Sequence, residues 1–77
     1  MLLVENSHPQ QVFSFVRQDA LGKVLVILNF SAIDLHITLL CTLGYGQYHK
    51  WPDAQEVMLD ASTTLTLAPW EWQVFVA

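Results

Sequence analysis

The chain has 77 residues, 53% of them hydrophobic and 13% charged, with three basic residues against seven acidic ones and a formal net charge of −4. A chain this short forms one domain and buries only about 60% of the surface that it exposes unfolded. Its few cations, Arg17, Lys23 and Lys50, are not clustered, which argues against binding a phosphate backbone. The longest apolar run, Val24 to Leu28, is far short of the roughly 20 residues that span a bilayer, so no membrane partner is expected. Cys41 is the sole cysteine and forms no internal disulfide. No signal-peptide pattern opens the chain, and together these features lean towards the cytoplasm. An ordinary domain carries about 25% charged residues. The deficit here implies an apolar face shaped to lie against a larger body or a second copy of the chain.

Short β-branched and aromatic runs alternate with turn residues, and no 3.6-residue apolar stripe is sustained, so the chain reads as all-β. Leu2 to Glu5 is a first strand, closed by Asn6-Ser7-His8-Pro9. Val12 to Gln18 follows, with Val12, Ser14 and Val16 on one face and Phe13, Phe15 and Arg17 on the other. Asp19-Ala20-Leu21-Gly22 turns the chain. Lys23 to Phe30 is apolar on both faces, the pattern of a central strand covered on each side. Leu35 to Leu40 points Leu35, Ile37 and Leu39 inward and His36 and Thr38 outward, and is expected to form a hairpin with the preceding strand.

Gly44, Gly46 and Pro52 punctuate Cys41 to Asp53, which reads as a loop carrying a short edge strand. Gln55 to Leu59, Thr63 to Leu67 and Trp72 to Val76 complete the set. Seven to eight short strands in a single domain over residues 1–77 predict a small antiparallel β-sandwich with Greek-key connections.

Three segments resemble the C-terminal β domain of the alpha-amylase family of glycoside hydrolases, particularly its alpha-glucosidase and oligo-1,6-glucosidase members. They are Val12-Phe13-Ser14-Phe15-Val16-Arg17 preceded by Leu2-Leu3-Val4-Glu5, Lys23 to Ser31 with its terminal Asn29-Phe30-Ser31, and Leu65-Thr66-Leu67-Ala68-Pro69-Trp70-Glu71 followed by Val74-Phe75. Cys41 to Asp60 matches no part of that pattern. The resemblance implies a non-catalytic accessory domain that packs on the parent enzyme's catalytic barrel. The family's catalytic motifs, Asp-x-x-x-Asn-His and an Arg-x-Asp strand end, lie on that barrel and are missing from this chain, so no catalytic residue carries over.

The residues themselves agree with a non-catalytic reading. Glycoside hydrolysis needs two carboxyl groups flanking one bond, about 5 Å apart in retaining enzymes. Asp19, Asp34, Asp53, Asp60 and Glu71 instead fall at turns and strand edges, where carboxylates accept backbone hydrogen bonds, and Glu5 and Glu56 are no more suggestive. His8, His36, His49 and Cys41 lack the paired spacing of a zinc site, and no cofactor is implied. Cys41 and His36 have opposite strand parity, which separates a thiol from its nearest base.

The aromatic residues Tyr45, Tyr48, Trp51, Trp70 and Trp72 are the candidate site. Core or interface packing is the ordinary use of such rings; an alpha-glucan oligosaccharide bound on their faces is the alternative. Trp70 and Trp72 share parity and are expected to form one patch. A homodimer through the apolar face is a third reading.

Overall fold

The computed structural model describes residues 2–20 and 22–77 and is all-β, with eight strands in two antiparallel sheets. The strands are β1 (Leu2–Leu3), β2 (Val12–Asp19), β3 (Gly22–Asn29), β4 (Leu35–Ile37), β5 (Gly46–Trp51), β6 (Gln55–Leu59), β7 (Leu65–Leu67) and β8 (Trp72–Val76). Six of them form one sheet in the order β1-β2-β3-β8-β5-β6, and β4 pairs with β7 in the second. The chain changes sheet after β3, β4, β6 and β7, and the last strand inserts between β3 and β5, which is Greek-key-like connectivity in a small sandwich. Leu21, in the expected Asp19–Gly22 turn, lies outside the described residues; Asp19 pairs with Gly22 on either side of it.

The core lies between the sheets. Val12 and Val16 from β2, Leu25 and Ile27 from β3, Tyr48 from β5 and Phe75 from β8 are buried on the inner face of the large sheet. Leu35, Ile37 and Leu39 meet them from the other layer with Leu65 and Leu67, in the alternation expected of that segment. Asn6 and Ser14 are satisfied in place. Asn6 Nδ2 donates to Val12 O and Ser14 Oγ, its Oδ1 accepts from the His8 N–H, and the Ser14 hydroxyl donates to Val4 O.

Two expectations give way. The hairpin between Lys23–Phe30 and Leu35–Leu40 does not form: β3 pairs with β2 and β8, whereas β4 pairs with β7 in the opposite layer. Asn29 supplies the reason. Its Nδ2 donates to Ile33 O (3.0 Å) and Ala68 O (2.9 Å), and its Oδ1 accepts from Ser31 N–H (2.9 Å) and Ser31 Oγ (2.6 Å). These bonds close a local bend that sends the chain across to the second sheet. The loop expected over Cys41–Asp53 contains a 3-10 turn at Thr42–Gly44 and a full six-residue strand, β5, which lies between β8 and β6 and is not an edge.

Gly44 shows how tightly that segment crosses the core. A Cβ there would stand 2.9 Å from Val4 Cγ1 and 3.0 Å from Leu39 Cδ1, both on buried side chains. Gly44→Ala is therefore expected to lower the stability by about 1–3 kcal/mol through overpacking, measured as a shift in urea midpoint at unchanged m-value.

Candidate functional site

The register of the large sheet gathers apolar side chains on its outer face, away from the β4–β7 layer. One cross-strand row runs Leu3, Phe15, Val26, Val74, Trp51 across β1, β2, β3, β8 and β5. A second runs Phe13, Leu28, Trp72. A third, Arg17, Val24, Val76, His49, Glu56, is apolar in the middle and charged at its ends.

Phe15, Val24, Val26, Leu28 and Val74 are only half-buried, because each strand neighbour shields its flanks but nothing among the described residues lies above it. Leu3, Phe13, Trp51, Trp72 and Val76 are exposed. The strand expected to be covered on both faces, Lys23–Phe30, is thus central in its sheet but covered on the inner side only.

The five candidate aromatics separate. Tyr48 is buried in the core, edge-on to Phe75 at 6.1 Å between centroids, and presents no face to solvent. Its hydroxyl is buried without a hydrogen-bond partner, and Lys23 Nζ lies 5.4 Å from its ring centroid. Tyr45 is half-buried against the core; its hydroxyl donates to Leu39 O, and its carbonyl accepts from Lys23 Nζ at 3.2 Å. These two tyrosines are structural.

Trp51 and Trp72 come together on the outer face. They sit diagonally on neighbouring strands, with centroids 5.8 Å apart and ring planes 28° apart, and each is about half exposed (54% and 53%). Such an offset stack adds about 0.5–1.5 kcal/mol beyond area burial and holds both rings in one orientation. The parity that would group Trp70 with Trp72 does not extend to Trp70. It occupies a turn with φ 60°, and a residue in that region breaks the strand alternation.

The remaining chemistry-bearing groups are dispersed. Cys41 packs half-buried against the core, and His36 Nδ1 lies 3.1 Å from Thr66 Oγ1 on the exposed side of β4–β7. His49 and Glu56 form an exposed pair at 3.7 Å. Among the described residues no group of three or more His, Cys, Asp or Glu could hold a metal ion, and no helix is long and apolar enough to cross a membrane. A cavity of about 450 Å³ opens beside Leu3, Pro9, Phe13 and Leu40. Its polar floor, Asn6 and Ser14, is committed to the hydrogen bonds described above.

Asp60 closes the β6–β7 turn. Its Oδ1 accepts from Ser62 Oγ (2.8 Å) and Ser62 N–H (2.9 Å), while Thr63 Oγ1 accepts from the Asp60 N–H. The hydrogen bonds from Ser62, side chain first, hold its carboxyl below the ordinary aspartate range. A folded-state pKa below the unfolded one gives stability that is present at neutral pH and lost as pH falls through the carboxylate range. Asp60→Asn is therefore expected to be less stable than the parent at pH 7, with the difference closing below about pH 4, as read from thermal midpoints across pH.

Comparison with protein-family models, curated proteins and solved structures finds no match. The functional reading therefore rests on the residues and the surface that they build.

Proposed function

We propose that this chain is the non-catalytic C-terminal β domain of an alpha-amylase-family glycosidase, and that it packs on and steadies the catalytic barrel through the outer face of its six-stranded sheet. The observation that carries the reading is that face: two cross-strand rows wholly apolar and a third charged only at its ends. Taking about 200 Å² per large side chain, its exposed apolar surface is on the order of 600 Å². A stable specific interface buries about 800 Å² on each partner, so a surface of this size and composition is suited to burial. The three segments that carry the family resemblance supply β2, β3 and the β7–β8 end of the fold, hence most of that face.

The native gene product tests this. An antibody raised against the 77-residue chain should detect a polypeptide longer by at least a ~250-residue barrel, and the immunoprecipitate should act on alpha-linked glucose oligosaccharides. A native product no longer than this chain, or a longer one inert towards every alpha-glucoside tried, overturns the proposal.

The stacked Trp51–Trp72 pair favours a second reading, in which an alpha-glucan ring lies on the pair's solvent-facing side. An NMR titration of the isolated chain with maltooligosaccharides and isomaltooligosaccharides separates the two. Saturable shifts of both indole N–H signals select sugar binding. Unmoved signals at millimolar sugar leave the packing face.

A further inference from the structure

We propose that the loops at the end of the sandwich, residues 30–34 and 68–71, form a second contact with Trp70 as its anchor, and that the partner offers an apolar pocket rimmed by lysine or arginine. This rests on the packing reading above and adds a contact which that reading does not require.

Trp70 is the first argument. Its φ of 60° is a left-handed conformation that disfavours any residue with a Cβ and suits glycine. The turn is nonetheless held firmly: Trp70 N–H donates to Ser31 O (3.1 Å), Glu71 N–H to Ala68 O (3.0 Å), and Ala68 N–H to Glu71 Oε1 (2.7 Å). The fold gains little from the indole in return, because the residue is 63% exposed. A strained backbone that fixes an exposed tryptophan is a presenting device, and tryptophan is the residue most enriched at interface hot spots.

The second argument is what lies beside it. Asn29 ties the two loops together through Ile33 O and Ala68 O, which brings Phe30 (60% exposed) and Ile33 (54% exposed) to the same end of the molecule as Trp70. Phe30 also continues the outer-face parity of Val24, Val26 and Leu28, so this end adjoins the sheet face.

Charge identifies the partner. Asp34 and Glu71 are the only charged residues of the two loops, and Arg17, Lys23 and Lys50 all lie elsewhere in the chain. A second copy would bring the same carboxylates to the contact and no cation from these loops, whereas a cationic rim is complementary.

Hydroxyl-radical footprinting of the three tryptophans, in the native polypeptide and in the isolated 77-residue chain, tests the proposal. In the native polypeptide Trp70 should be labelled about tenfold more slowly or less, as for a desolvated anchor, together with Trp51 and Trp72. Trp70 equally reactive in both samples while Trp51 and Trp72 are protected overturns this contact and leaves the sheet-face reading. All three equally reactive in both overturns both readings.

Two variants complete the test. Trp70→Gly should keep or raise the urea midpoint of the isolated chain while exposing Phe30 and Ile33 to labelling in the native polypeptide. A lowered midpoint overturns the proposal, because the ring would then serve the fold. Asp34→Lys should weaken the protection of Trp70, and unchanged protection overturns the cationic rim.

Discussion

Asn29→Ala is expected to destabilise the domain by about 3–5 kcal/mol, the largest effect of any single polar substitution in the chain. The side chain is 2% exposed and makes four hydrogen bonds, two of them to the carbonyls of Ile33 and Ala68 on separate loops. Alanine removes all four, each worth about 0.5–1.5 kcal/mol, while Ala68 O keeps the Glu71 N–H and Ile33 O keeps the Ser31 hydroxyl as donors. Denaturant unfolding measures the loss, and a change under about 1 kcal/mol would show that water satisfies these groups instead.

Asn29→Asp sharpens the test. It keeps the shape and the two accepted bonds from Ser31 but sets a carboxylate against two carbonyl oxygens. Burial and the facing carbonyls raise the folded-state pKa of the new acid above its unfolded value. The penalty is thus full above that raised pKa, shrinks as pH falls through it, and is gone by about pH 4, where the unfolded chain is protonated as well.

Asn29 also shows where the sequence was opaque. The alternation of Leu35, Ile37 and Leu39 was legible, because one face of that segment meets the core and the other meets solvent. Its partner was not. Adjacency in sequence favours a hairpin, whereas the four bonds of the Asn29 side chain, with Trp70 N–H on Ser31 O, hold a bend into the other layer. Strand β5 was hidden for a different reason: Gly46–Trp51 places a single fully buried side chain, Tyr48, on the core, so its sequence carries no period.

The outer face was half legible. An apolar residue at every position from Val24 to Leu28 of β3 is the mark of a strand covered on both sides, and the described residues supply one cover only. The pattern registers apolar residues on both faces, but the structure covers only one of them. The candidate aromatics were visible as residue types. Their fates, with Tyr48 in the core, Trp70 in a left-handed turn and Trp51 stacked on Trp72, depend on register and backbone sign, which no local pattern encodes.

The outer face yields the second large effect. Trp51→Lys and Trp72→Lys are each expected to change the stability of the isolated chain by only about 1 kcal/mol, the worth of the lost stack, because both rings are already half in water. In the longer polypeptide proposed above, each should cost about 2 kcal/mol or more of docking energy, as for a buried interfacial tryptophan that is replaced by an unpaired charge.

Calorimetry separates the two contributions. A docked β domain unfolds together with its neighbour, and the substitutions should split that single transition into two. The pair should also be non-additive by about 0.5–3 kcal/mol, since either substitution alone already breaks the stack. If the longer polypeptide unfolds identically with and without the lysines, the outer face packs on nothing within that chain. If the isolated chain instead sediments as a dimer that the lysines dissolve, the covering surface is a second copy, and the apolar rows would face each other across a two-fold axis.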